Sequence, residues 1–496
     1  MKDHNRLTAV IDVGTSSARV ALVESGGKIV WFWQEKHGLY ILDEKTVLQD
    51  PEEIMLHIWK MLEKAAEWTT ENHFTLECIS VTGQRSSVIP MKRDGSILEK
   101  AISWRDTRAY DICLEYKAQL EEIYNIAGIR LSPVFSAPKM VLLKRTMPKI
   151  YEDAYKLAGF QEYVIKNLTG RFVTDVTIAS RTALLDIRTL QWSERLLHLF
   201  DIDSEKLCRL IPAGEMASDA VSRIKSLFRT QSAIPVLSAG GDQQCAALGL
   251  GCLRKGDTEM NSGTGAYIAT VCDSPVLDSK MRVNCNAFSI PGKWIVEGTV
   301  LSAGKAVEWL NREIFGAGTE DMKEFMKACE KAPAGANGVV AATTFMGSGT
   351  PQWNAKAKAA FLGIGFGNTK SDFPRALLEG IAAELLECLE TMEDLTGQRP
   401  EVIRAAGGMT ANSVYCQILA DMFSRKICRP QICEATVMGA WITAQMFLGN
   451  VKTYESAYEK FGRREGKYYV PNKENQQIYR EGSRLRVHYM EYFKKR

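Results

Sequence analysis

The sequence predicts an α/β protein of two related domains. Three observations carry that reading. Short apolar, strand-like runs alternate with amphipathic helical stretches along the chain, the pattern that packs helices against a mainly parallel sheet. A strand–turn–strand unit rich in Gly, Ser and Thr appears near the N-terminus and again about half a chain later. The 496 residues exceed what one core sustains, since domains run to roughly 50–250 residues. The two domains are expected at residues 1–250 and 251–496.

The first unit opens the chain. Leu7 to Ile11 and Arg19 to Val23 are β-compatible runs, with Asp12-Val13-Gly14-Thr15-Ser16-Ser17 between them. Its second copy runs from Asp257 to Met260, through Asn261-Ser262-Gly263-Thr264-Gly265, into Ala266 to Val271. In the first half, a strand from Cys78 to Val81 closes on Gly83-Gln84-Arg85-Ser86-Ser87. A strand from Ile234 to Ser238 leads through Gly240-Gly241-Asp242-Gln243-Gln244 into a helix at Cys245 to Leu248. In the second half, Ser371-Asp372-Phe373-Pro374 precedes a helix over Arg375 to Leu395, with a cap-type residue and an early proline at its start. Leu377, Ile381, Leu385 and Cys388 recur there at helical spacing. Val402 to Ala406 reads as a strand, Gly407-Gly408-Met409-Thr410-Ala411-Asn412 as a turn, and Ser413 to Phe423 as a helix. Strand, paired glycine and helix N-terminus let a backbone approach a nucleotide closely.

Composition narrows the function. Apolar residues are 46% and charged residues 24%, ordinary for a soluble globular chain. The formal net charge is +3, which offers no electrostatic footprint for nucleic acid. Lys494, Lys495 and Arg496 read as a solvated end. No uninterrupted apolar stretch reaches 18 residues, so no membrane-spanning helix is expected. The polar N-terminus lacks the apolar run of a secretory leader. Twelve cysteines lie scattered from Cys78 to Cys433 with no Cys-x-x-Cys pair, which suits a reducing cytoplasm. The six histidines avoid every motif above, against a Ser/His hydrolase or a histidine metal site.

Each motif has a bland reading beside a chemical one. A Gly/Ser/Thr turn is ordinary hairpin chemistry, yet its backbone N–H groups can cradle phosphate oxygens, and Asp12 before it can hold Mg²⁺ directly or through water. Asp242 reads as a helix N-cap or as a general base kept ionised by the helix N-terminus. Gln84, Arg85, Trp104 and Asp106 read as solvated surface loops, or as hydrogen-bonding arms beside an aromatic for a polyhydroxylated ligand. Two phosphate-cradling hairpins, one per domain, tip the balance toward the chemical reading, since facing each other across a cleft they would grip ATP.

In their order, these motifs resemble the FGGY carbohydrate kinases. The resemblance runs from Ile11 to about Gly449. Its most specific stretch is Ala359 to Glu379, similar to the family's C-terminal signature, while Phe135-Ser136-Ala137-Pro138-Lys139-Met140 resembles the N-terminal signature in part. The resemblance implies an actin-like ATPase (ribonuclease H-like) fold, with two domains around a central cleft that holds ATP and Mg²⁺. By position it assigns Asp12 to magnesium, Thr15 and Arg19 to the first phosphate loop, and Gly263, Thr264 and Gly265 to the second. Gly304 falls beside the nucleotide, and Gly407, Gly408 and Asn412 in the adenosine-contacting loop. Asp242 matches the catalytic base, and Gln84, Arg85, Trp104, Asp106, Asp242 and Gln243 the acceptor pocket. A cytoplasmic enzyme acting on a small sugar or polyol follows, with no nucleic-acid or membrane partner, and a homodimer is compatible with it.

For the acceptor, the family's members diverge. Glycerol kinase has Arg-Glu where this chain has Arg85-Ser86, and a tyrosine in place of Phe135. The segment Gly170 to Asp175, with Trp192 after it, looks more like xylulokinase and autoinducer-2 kinase. A ketopentose such as xylulose is the expected acceptor; glycerol, gluconate and autoinducer-2 are the alternatives on the same fold. Outside that class, a non-catalytic sugar- or nucleotide-binding regulator is disfavoured by the intact set Asp12, Thr264 and Asp242.

Overall fold

The computed structural model describes residues 5–316, 322–431, 434–462 and 466–494. Cys433, Lys495 and Arg496 lie outside the described residues. Two mixed sheets organise the chain. The first has the spatial order Met216–Asp219, Pro235–Gly241, Thr75–Gly83, Arg6–Val13, Ser17–Glu24, Ile29–Lys36. The Arg6–Val13, Thr75–Gly83 and Pro235–Gly241 strands are mutually parallel, and the next two strands are antiparallel. The second sheet repeats the pattern. Thr258–Ser262, Val402–Ala406 and Lys426–Pro430 are parallel, while Ala266–Cys272 and Trp294–Val300 continue antiparallel. The two hairpins read from the sequence therefore open two equivalent sheets, and this doubled architecture is the actin-like ATPase fold.

Alternation of apolar residues explains why Arg6–Val13 is a central strand. Leu7, Ala9, Ile11 and Val13 face one core, and Val10 faces another, as a period of two requires. The first core includes the Pro51–Glu71 helix, whose Ile54, Ile58, Met61, Leu62 and Ala65 form one buried stripe. Asp50 caps that helix by accepting from the Glu52 and Glu53 amides at 3.0 and 3.3 Å.

The other core lies between the sheets and is built on two crossing helices, Asp242–Gly249 and Ala435–Phe447. Glycine permits the crossing. A Cβ on Gly439 would stand 1.8 Å from the Cys245 carbonyl oxygen, and one on Gly249 would stand 2.0 Å from that of Ala435. The later helix also leans on the first sheet: Ser80 Oγ donates to the Ala440 carbonyl at 2.7 Å, and Gln445 Nε2 to Thr8 Oγ1 at 3.2 Å. Between Thr75–Gly83 and Pro235–Gly241 the chain inserts a helical lobe with its own core, which includes Ile123, Phe135, Leu143, Leu196 and Phe200.

Two boundaries differ from the sequence expectation. The long helix opens at Asp372, not Arg375, because Pro374 falls in the first turn, where its missing N–H is not needed. The N-cap of the 242–249 helix is Gly241, and Asp242 is its first residue. Its carboxylate therefore does not cap the helix from outside, and its Oδ1 accepts from the Gln243 amide at 2.8 Å.

Candidate active site

Three neighbouring parallel strands end side by side and deliver the site, as carboxyl ends of strands do in such sheets. Val13 is in register with Gly83, and Gly83 with Gly241. Asp12, Gln84-Arg85 and Asp242 therefore leave the sheet at one edge.

Asp12 is 3% exposed. Its Oδ2 accepts from Arg19 Nη1 at 3.1 Å, and Arg19 also reaches Glu434 at 3.3 Å. Its Oδ1 is buried with no partner. Burial pushes the Asp12 carboxyl up to about 7; Arg19 opposes this, while Asp242 and Glu434 add to it. Arg19 is thus shared between two carboxylates, and the charge of Asp242 also reaches Asp12, which leaves Asp12 short of positive charge. A single orphaned carboxylate oxygen suits Mg²⁺, which keeps most of its ligands as water and phosphate. Among the described residues no group of three or more His, Cys, Asp or Glu could cage a metal ion.

The first hairpin turn is closed by Gly14 N–H to the Ser17 carbonyl at 2.9 Å. Thr15 is pinned from below. Its hydroxyl accepts from Trp104 Nε1 at 2.9 Å, and its carbonyl from Gln49 Nε2 at 3.0 Å. In the second hairpin, Gly263 N–H bonds the Gly265 carbonyl at 2.9 Å, which leaves Thr264 exposed at the tip. The Gly304–Phe315 helix starts directly on this turn. Gly304 N–H donates to the Gly263 carbonyl at 2.8 Å, and a Cβ at Gly304 would lie 2.5 Å from that oxygen. Gly407, at φ +93°, approaches the same turn, with Ser262 O 2.4 Å from its would-be Cβ. Gly408 follows at the start of a short 3₁₀ turn. Asn412 caps the 413–423 helix, accepting from the Val414 and Tyr415 amides at 2.8 and 3.2 Å. The residues assigned to ATP thus form two turns and a glycine-lined approach.

On the acceptor side, Asp242 keeps a quarter of its side chain exposed and lies 3.4 Å from Arg85 Nε. Burial raises its carboxyl above the ordinary range, against the pull of Arg85. Gly241 leaves room for Arg85 and Gln244: a Cβ there would stand 2.7 Å from Arg85 Cδ and 2.8 Å from Gln244 Oε1. Ser86 adopts φ 71°, a region costly for a residue with a side chain. Its hydroxyl donates to the Arg181 carbonyl at 3.1 Å. Gln84 and Gln243 each bury an amide oxygen without a partner, so both can accept from hydroxyls.

Two residues escaped the sequence reading. Glu297, in the Trp294–Val300 strand of the second sheet, is 1% exposed. It accepts from Arg181 Nη1 at 3.0 Å and from Arg85 Nη1 at 3.5 Å. Burial alone would raise its carboxyl, but the two arginines hold it below the ordinary value. Arg181 in turn lies over the Phe135 ring at 4.8 Å. An acidic residue inside the apolar run Trp294-Ile295-Val296-Glu297 was the available signal for Glu297. Asp106 occupies a different place from the expected one. It is fully buried, and its carboxylate accepts from Val47 N–H at 3.0 Å and Arg108 Nε at 2.9 Å, so it shapes the loop behind Trp104.

Family models match nearly the whole chain: the N-terminal domain of the FGGY family of carbohydrate kinases over residues 7–249, and the C-terminal domain over 259–448. The chain belongs to the FGGY family of carbohydrate kinases and is an ATP-dependent phosphotransferase acting on a sugar or polyol. It is 30% identical to a glycerol kinase of Parabacteroides distasonis, covering 93% of each chain. It is 24% identical to a gluconokinase of Bacillus subtilis, over 91% of this chain and 90% of the relative. Among solved structures it resembles a ligand-bound xylulose kinase from Lactobacillus acidophilus, with TM-score 0.91, 23% identity and 98% of each chain covered. A Plasmodium falciparum glycerol kinase with ADP superposes at TM-score 0.89, with 26% identity over 97% of this chain and 98% of that one.

Proposed function

We propose that this kinase phosphorylates the primary hydroxyl of a neutral polyol or ketose longer than glycerol, with D-xylulose the first acceptor to test. Asp242 is the general base. It starts a helix at the strand edge it shares with Asp12, and its exposed part receives the hydroxyl proton as the bond to phosphorus forms. A carboxyl raised toward neutrality is a stronger base than an ordinary one. Thr15, Thr264 and the turns around them hold the phosphates through backbone N–H groups. Bound at Asp12, Mg²⁺ would neutralise the charge that builds on the transferring phosphoryl group. Arg19 holds Asp12 in place, and Gln84 and Gln243 offer unfilled acceptors to the sugar's hydroxyls.

The observation that carries the neutral acceptor is Glu297. Arg181 faces Glu297, and Arg85 faces both Glu297 and Asp242, so two carboxylates balance the two cations and no net positive charge is left over for a sugar acid's carboxylate. Ser86 turns to a backbone carbonyl, and Phe135 presents a ring without a hydroxyl, so a three-carbon triol finds few arms. The test is ADP release at saturating Mg·ATP with D-xylulose, D-ribulose, L-ribulose, erythritol, glycerol and gluconate. A ketose or tetritol should give the highest kcat/KM. Glycerol or gluconate as the best of the six would overturn the acceptor assignment.

A further inference from the structure

A second concave site lies in the inserted lobe. Arg93, Lys156, Lys166, Arg171 and Arg209 line one groove of about 470 Å³, together with Tyr155 and Phe172, a volume typical of small-molecule sites. No residue of the catalytic cleft lines it. Its floor is made by backbone pairing: Val173 is in register with Arg209, and Lys156 with Met91, next to the turn that carries Arg93.

The cations are held in place without being neutralised. Tyr155 and Phe172 pack edge to face at 5.5 Å. Arg93 lies 4.4 Å and Lys156 5.0 Å from the Tyr155 ring, and Lys166 lies 4.5 Å from that of Phe172. Lys156 Nζ donates to the Glu205 and Leu207 carbonyls, and Lys166 Nζ donates to that of Gly170 at 3.0 Å. Each ammonium has three donors, so both keep some free. Among the described residues none of the five cations makes an ion pair with a carboxylate. Asp94, whose charge reaches Lys166, is itself engaged by the Ser96 amide and hydroxyl at 2.9 and 2.7 Å. Surface cations are usually spread apart or paired; five converging on one concavity repel one another unless an anion joins them. The lining has three arginines, whose planar forks match phosphate oxygens.

We infer that this groove binds a small molecule carrying two or more phosphate groups. Inorganic pyrophosphate is the probe, titrated calorimetrically into the whole protein saturated with ADP, in magnesium-free buffer of fixed ionic strength. One pyrophosphate should bind per chain. The double variant Arg171→Ala/Arg209→Ala should weaken that binding tenfold or more, with kcat and thermal midpoint unchanged, since both side chains are exposed. Arg93→Ala, on a separate turn, should weaken it independently. Absent binding, or equal affinity in both variants and the parent, would overturn the proposal. Citrate binding as tightly as pyrophosphate would overturn the phosphate assignment. A 20-nucleotide single-stranded RNA that binds the same residues more tightly would replace the small molecule with a nucleic acid.

Discussion

At the scale of single residues, the site works through charges placed where water is scarce. Asp242→Asn keeps the shape and removes the proposed base, so kcat should fall about 10²–10⁴-fold while ADP affinity, followed by calorimetry, stays within about twofold. Asp12 predicts a pH dependence. Its carboxyl is pushed up to about 7, so below that pH it is protonated and neutral, and a proton competes with the metal. The KM for Mg²⁺ should rise as pH falls from 8 to 6, and Asp12→Asn should flatten that profile. Most of these residues were legible because each belongs to a local motif: a strand end, then glycine, then a polar residue. Glu297 and Arg181 were not, because each stands alone in its segment and acquires a role only when the Trp294–Val300 strand meets the distant turn that carries Arg181. Asp106 misled for the converse reason. Its tryptophan-arginine neighbourhood looks like a sugar pocket, yet Arg108 two residues on takes its carboxylate inward.

At the scale of elements, the duplicated hairpins were readable because the turn residues recur in the same order. Their supports were less so. Nothing local in Ser302-Ala303-Gly304 shows that a helix will start on the second turn so closely that a Cβ on Gly304 would lie 2.5 Å from the Gly263 carbonyl oxygen. The crossing of the 242–249 and 435–447 helices is likewise a long-range fact. Gly439→Ala places a methyl group 1.8 Å from the Cys245 carbonyl oxygen and must part the helices. Overpacking of this kind costs about 1–3 kcal/mol or more. A lower thermal midpoint is expected, with a fall in kcat because Cys245 shares a helix with Asp242. Gly38→Ala, at an exposed position outside the left-handed region with nothing within 4 Å of the added Cβ, should leave the thermal midpoint and kcat unchanged.

At the scale of the whole molecule, the two sheets meet at a buried ion group: Arg85 and Arg181 from the first half, Glu297 from the second. Removing one partner of such a group strands the others. In Glu297→Gln two cations lose their counter-charge and gain a reason to hold an acidic acceptor. The ratio of kcat/KM for gluconate over D-xylulose should rise tenfold or more, read from ADP release. Domain closure around the cleft would keep water from competing with the acceptor, so ATP hydrolysis without acceptor should be slow. As the proposed base, Asp242 would activate a neutral polyol hydroxyl for attack on ATP. Single-turnover phosphoryl transfer to the best neutral acceptor, parent against Asp242→Asn at saturating Mg·ATP, tests it most directly. A loss of at least about 10² in the transfer rate with nucleotide binding retained is expected; transfer at the parental rate in the variant would show that Asp242 is not the base.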